Sequence, residues 1–118
     1  MNLHEDRPLW SPSAERIAGA NVTAFRLAAE KRWGLSLPDY DALYAWSVAH
    51  PEQFWVSVWE GDGIGSGVIG HRGERVLVDG DRMPGAKWFP DAKLNFARNL
   101  LRSRDAHDAI VFWGEDRV

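Results

Sequence analysis

The residues of this chain that could do chemistry are few and lie apart. Gly65-Ser66-Gly67-Val68-Ile69-Gly70 fits the G-x-G-x-x-G pattern of a dinucleotide-binding turn. Such a turn works when a strand feeds it and a helix leaves it, so that the helix N-terminus meets the pyrophosphate. Here a helix-like stretch comes first and a strand-like stretch follows, so a plain flexible loop is the better account. His4, His50, His71 and His107 never fall three or four residues apart, which argues against the usual histidine spacings of a metal site. His50 stands before Pro51 and reads as a helix cap. Asp79, Asp81 and Asp91 could gather with Arg82 and Lys87 into a polar cluster. Aspartate favours turns for local backbone reasons, however, and paired-carboxylate catalysis needs an enclosing cleft. Lys87 directly precedes Trp88-Phe89, so a cation–π contact is conceivable, but anchoring in a core or interface is the simpler role for these rings. With no cysteine, thiolate chemistry, thiolate metal sites and disulfides are excluded. No catalytic, cofactor-binding or metal-binding residue is therefore assigned.

The elements that would position any site come next. A chain of 118 residues suits one domain with a modest core. Its 45% hydrophobic and 26% charged content argues against disorder. Seven tryptophans imply a Trp-rich core or interface. The net charge of −3 comes with scattered basic residues, which makes nucleic acid an unfavoured partner. No apolar run approaches the roughly 18 residues of a spanning helix, and the N-terminus has no signal-like core. A cytoplasmic protein with no membrane partner is expected.

Periodicity predicts about five helices. Ser11-Pro12 opens the first, with Ala14, Ile17 and Ala18 as its stripe, and Asn21 caps the second, which presents Val22, Phe25, Ala29 and Trp33 and stops at Gly34. The third starts near Asp39 with Tyr40, Leu43, Tyr44, Ser47 and Val48 on one face. Pro51 opens the fourth, with Phe54, Trp55, Val58 and Trp59 as its stripe, and the aromatic faces of these two helices are expected to pack together. Six glycines in residues 61–73 demand a loop. Residues 75–79 read as a strand, Asp79-Gly80 and Pro84-Gly85 as turns, and Asn95 as the cap of a fifth helix bearing Ala97, Leu100 and Leu101. Residues 109–113, AIVFW, read as a strand buried on both faces of a larger sheet. Such a strand needs neighbours that this chain barely supplies, so the domain is expected to continue past Val118. The fold class expected is α+β and mainly helical, with about five helices and one or two short strands, a partial N-terminal domain of a larger α/β enzyme.

Four strings carry a family resemblance: PLWSPSAERIAGANVTAF from Pro8, DYDALYAWSVAHPEQFW from Asp39, VLVDGDRMPGAKWFPDAKLNFARNLL from Val76 and AIVFWGEDRV from Ala109. They resemble the N-terminal segment of acetoacetyl-CoA synthetases, within the adenylate-forming acyl-CoA synthetases, and the likeness spans nearly the whole chain. Tyr44, Ser47, Pro51-Glu52 and Phe54-Trp55 match the acyl-CoA synthetase N-terminal pattern, as do Lys87-Trp88-Phe89 and Leu94-Asn95. The resemblance implies a parent ligase that uses ATP and Mg²⁺ to adenylate acetoacetate and then passes the acyl group to CoA. The Ser/Thr/Gly-rich loop ending in Lys, which such enzymes use to hold phosphate, has no counterpart here: Thr23 is the one threonine, and no glycine run ends in Lys. Residues 1–118 are thus expected to form a structural N-terminal domain ending before the AMP-binding region. This chain would hold no cofactor, lack activity alone and have the rest of the synthetase chain as its partner, with self-association of the fragment also expected. The alternative is a free-standing Trp-rich module that binds a protein partner. An independent small enzyme ranks behind both.

Overall fold

The computed structural model of the chain describes residues 8–115, so His4 lies outside the described residues. Among the described residues five helices and four two-residue strands follow one another, and the expected mainly helical α+β class holds. Helix α1 (Ala14–Ala18) is capped by Ser13, whose hydroxyl accepts from the Arg16 N–H at 3.2 Å. The expected start at Ser11-Pro12 is two residues early, because Ser13 is the hydroxyl that reaches a first-turn amide. Helix α2 (Asn21–Trp33) begins after Ala20, which makes no side-chain cap. Asn21, the expected cap, is instead the first helical residue. Gly19 N–H closes α1 on the Glu15 carbonyl at 2.9 Å, and the Ala20 carbonyl already accepts from Thr23 and Ala24. The corner is too tight to leave Asn21 outside. Gly34 ends α2 at φ 65° and ψ 40°, the left-handed stop the sequence predicts.

Helix α3 (Tyr40–Ala49) starts at Asp39, whose carboxylate accepts from the Ala42 N–H at 2.8 Å. Helix α4 (Pro51–Glu60) follows at once, and His50 caps the end of one and the start of the other. Pro51 has no N–H to donate backward, so the chain turns there. The turn brings Trp46 against Phe54 with ring centroids 5.9 Å apart, edge to face, and Phe54 against Phe25 at 5.7 Å. Phe25, Ala29, Leu37, Leu43 and Trp46 form the buried core. Beneath it Trp33 donates from Nε1 to the hydroxyl of fully buried Ser57 at 2.8 Å. The aromatic packing of α3 on α4 is as expected, but the faces differ. Tyr40, Tyr44 and Val48 are exposed, while Trp46 is buried at 5% exposure. On α4, Val56, Ser57 and Trp59 are buried and Trp55 is 43% exposed. The core side of each helix is rotated because Trp46 also has Gln53 Oε1 to donate to, at 3.0 Å across the corner.

Strand β1 (Gly70–His71) pairs antiparallel with β4 (Lys93–Leu94), and β2 (Leu77–Val78) with β3 (Lys87–Trp88). The strand expected at residues 75–79 is therefore real but shorter. Helix α5 (Phe96–Leu100) is capped by Asn95, which accepts from the Arg98 N–H at 2.9 Å, as the sequence predicts. Residues 109–113 form no strand. A strand exists only with a partner backbone, and both ladders are two-stranded pairs that do not include this run. Ile110, Val111, Phe112 and Trp113 are 65–88% exposed. The radius of gyration is 19.6 Å, against about 13–14 Å for a compact domain of this length.

The two helix tryptophans should separate in stability. Trp46→Ala is expected to cost about 3–5 kcal/mol, the range for removing a buried ring, and Trp55→Ala less than half as much. Chemical denaturation of both variants measures this, and equal losses would place Trp55 in the core after all.

Candidate functional site

The glycine-rich segment is packed against the helices and engaged in hydrogen bonds. Gly61 ends α4 in a left-handed conformation, and a Cβ there would lie 2.2 Å from the Gly67 backbone nitrogen. A Cβ on Gly63 would lie 2.2 Å from the Ala24 carbonyl oxygen on α2. Several of the segment's amides are also spent inside the fold. Ile64 and Gly65 donate to the Gly61 carbonyl, Val68 donates to the Trp59 carbonyl at 2.6 Å, and Ile69 donates to the Asn99 side chain. A phosphate cradle needs several convergent free amides at the start of a helix. This loop leaves a helix and enters β1 instead. The residues present do not fit a nucleotide.

The titratable groups disperse as well. Asp91, one member of the conceivable polar cluster, pairs instead with Arg75, whose Nε donates to Oδ2 at 2.8 Å. The hydrogen bonds from Arg75 hold the Asp91 carboxyl below its ordinary range. Asp79 lies 3.9 Å from Arg82, a loose turn contact. His50 caps helices, His71 lies in β1, and His107 sits 3.1 Å from Asp105 in an exposed turn. Among the described residues no group of three or more His, Asp or Glu could hold a metal ion, and no helix is long and apolar enough to cross a membrane. The described cation–π contacts are Arg16 over Trp10 at 5.7 Å and Arg32 over Trp33 at 5.5 Å. Trp88 packs on another tryptophan instead of on Lys87.

What the fold does assemble is apolar surface. A groove of about 520 Å³ runs between α2, α3 and α4, lined among others by Val22, Tyr40, Leu43, Tyr44 and Val58. Ile64 also lines it. This residue had no assigned role in the sequence, although a lone large apolar residue among glycines is a usable signal. Across α4, Trp55 meets Trp88 with centroids 5.8 Å apart, and Trp59 meets Phe89 at 5.0 Å. Phe89 reaches Trp59 from a left-handed backbone, φ 44°, held by its N–H donating to the Val76 carbonyl at 2.8 Å. A bulky side chain adopts that conformation only when surrounding contacts enforce it. Trp55 and Trp88 are each 43% exposed, and Trp10, Tyr40, Tyr44, Phe96, Phe112 and Trp113 are more open still.

Residues 40–100, which contain the helix corner, the glycine segment and both ladders, match the family model described as acetyl-coenzyme A synthetase N-terminus. The chain belongs to this family. It is 46% identical over 116 residues to acetoacetyl-coenzyme A synthetase of Rhizobium meliloti (strain 1021), covering 98% of this chain and 17% of that protein. With acetoacetyl-CoA synthetase of Danio rerio it shares 33% over 111 residues, 93% of this chain and 16% of the relative. With malonamoyl-CoA synthetase vrtB of Penicillium aethiopicum it shares 36% over 94 residues, 79% of this chain and 12% of the relative. The chain thus spans about a sixth or less of the length of these curated relatives. No solved structure matches it significantly.

If the glycine segment is a packed joint, its glycines are not equivalent. Gly65 also has positive φ, yet a Cβ there would meet nothing within 4 Å. Gly65→Ala should cost about 1–2 kcal/mol, the left-handed penalty alone, and Gly63→Ala distinctly more because the added methyl strikes the α2 backbone. Thermal or chemical unfolding of the two variants compares them; similar values would mean the loop yields freely.

Proposed function

We propose that this chain is the N-terminal structural segment of an acetoacetate–CoA ligase and packs against the remainder of that enzyme without supplying a catalytic residue. In the whole ligase the acetoacetate carboxylate attacks the α-phosphorus of ATP, with Mg²⁺ on the phosphates, and pyrophosphate leaves. The CoA thiol then attacks the acyl-adenylate, and AMP leaves as the thioester forms. The observation that carries this reading is the 46% identity to a synthetase named for acetoacetyl-CoA, across 98% of the chain. A malonamoyl-CoA synthetase carries a similar segment, which supports a role apart from acyl selection. The engaged amides of the glycine segment support placing ATP elsewhere in the enzyme. The open tryptophans and the apolar run at residues 110–113 support burial against a large partner surface.

Two measurements test this. The isolated chain should catalyse no acetoacetate-dependent ATP–pyrophosphate exchange above a buffer control. A chimera in which it replaces the matching segment of the Rhizobium meliloti relative should catalyse that exchange. Exchange by the isolated chain that survives repurification, or a soluble chimera without exchange, would overturn the proposal.

Self-association of the isolated chain belongs to the same reading, since uncovered apolar backbone invites pairing with another chain. Sedimentation should show oligomers, or an environment-sensitive hydrophobic dye should bind, and Phe112→Lys should weaken whichever is seen. A monomer that binds no dye in either form would mean that the run at residues 110–113 is already covered.

A further inference from the structure

Helix α5 is five residues long and buries none of them: Phe96, Leu100 and Leu101 all face solvent. A helix this short does not persist in water by itself, so something other than apolar packing must hold it. Strand β4 pairs Leu94 with Gly70 and Lys93 with His71. Continued by one residue, this antiparallel ladder would set Asn95 opposite Ile69. The chain instead turns into α5 at Asn95, so the ladder stops and Ile69 is left without a strand neighbour from β4.

Asn99, one turn into α5, replaces that neighbour. Ile69 N–H donates to Asn99 Oδ1 at 2.7 Å, and Asn99 Nδ2 donates back to the Ile69 carbonyl at 2.8 Å. The same Nδ2 donates to the Asn95 carbonyl at 2.9 Å, which ties the clamp to the start of the helix. Arg102 extends it. Its Nη1 donates to the Gly67 carbonyl at 3.0 Å and its Nε to the Asn99 carbonyl at 3.1 Å. A carboxamide is the side chain that carries a donor and an acceptor in the geometry of a strand edge. Aspartate lacks the donor, and leucine fills the space with neither.

We propose that Asn99 is a latch, and a positioning residue: with Arg102 it straps α5 onto residues 67–69 and so fixes where the chain beyond α5 leaves the domain. Opening the latch frees α5 and the apolar run at residues 110–113 together, while the α2–α4 core stays closed. The latch concerns how this segment presents that run, so its importance to an enzyme rests on the ligase reading, but its existence does not.

Amide hydrogen exchange on the 118-residue chain tests it directly. In Asn99→Leu, exchange at Ile69 should accelerate about tenfold or more, the signature of a local opening, and relaxation should report lost order across residues 96–102. Amides of α3 and α4 should keep their protection. Asn99→Asp keeps the acceptor and should lie between wild type and Asn99→Leu. Arg102→Gln should loosen α5 while leaving Ile69 largely protected. Unchanged exchange at Ile69 in Asn99→Leu, or an equal rise throughout α2–α4, overturns the latch. These readouts do not depend on ligase chemistry, so an inactive chimera with a working latch would count against the enzyme reading alone.

Discussion

The corner at His50-Pro51 is the constraint on which the helical part of the fold depends. Pro51 cannot donate to the α3 ladder, and His50 takes φ −130° and ψ 61° to join two helices with no linker between them. Trp46 lies four residues before that point and Phe54 three after, so their rings meet edge to face as soon as the corner forms. The Trp46 indole then donates to Gln53, and Phe54 reaches Phe25 on α2. A large ring buried with its one polar atom satisfied is among the stronger local packing units a small domain can hold. The groove, the position of α4 and the outward face of Trp55 all follow from this corner.

The rest of the chain is held by hydrogen bonds and close backbone approach rather than by a second core. Glycines at 61, 63 and 67 let the segment lie directly on α2 and α4, where any side chain would collide with backbone. The two ladders have two residues per strand, and an isolated hairpin of that size is marginal in water. Their supports are particular: Arg75 on Asp91, Phe89 on Trp59, and the side-chain bonds from α5 to residues 67–69. Because Arg75 depresses the Asp91 pKa, the support from that pair is present above the ordinary carboxylate range and fades as the pH falls through it and through the lower folded value. The Arg75 side chain is 61% exposed, so solvent screening keeps the pair weak.

The uncovered apolar run at residues 110–113 and the paired tryptophans on the surface support the proposal that this segment packs against a larger partner surface. Soluble proteins seldom leave such patches bare without a use for them. The same physics accounts for the missing strand at residues 109–113. Its residue types suit a sheet interior, but sheet structure is a relation between chains of backbone, and among the described residues no strand pairs with it.

Much of this was legible in the sequence because the signals were local. The helix start near Asp39, Asn95 as a cap, Gly34 as a stop, the turn at Pro51 and the loop of glycines each follow from the backbone chemistry of one or two residues. Four family-like strings by themselves point to the acyl-CoA synthetase N-terminus. Tertiary structure alone decided which side of each helix is buried, because Trp46 and Trp55 are equally apolar in sequence and both touch Phe54, but Trp46 is the one buried with its indole N–H donating to Gln53. It decided that residues 61–70 are a packed joint rather than the flexible loop that composition suggests, since the use of each amide depends on what packs above it. It also decided the strand pairings, whose partners lie up to 24 residues apart. No local pattern encodes a register that exists only after the chain has folded back on itself.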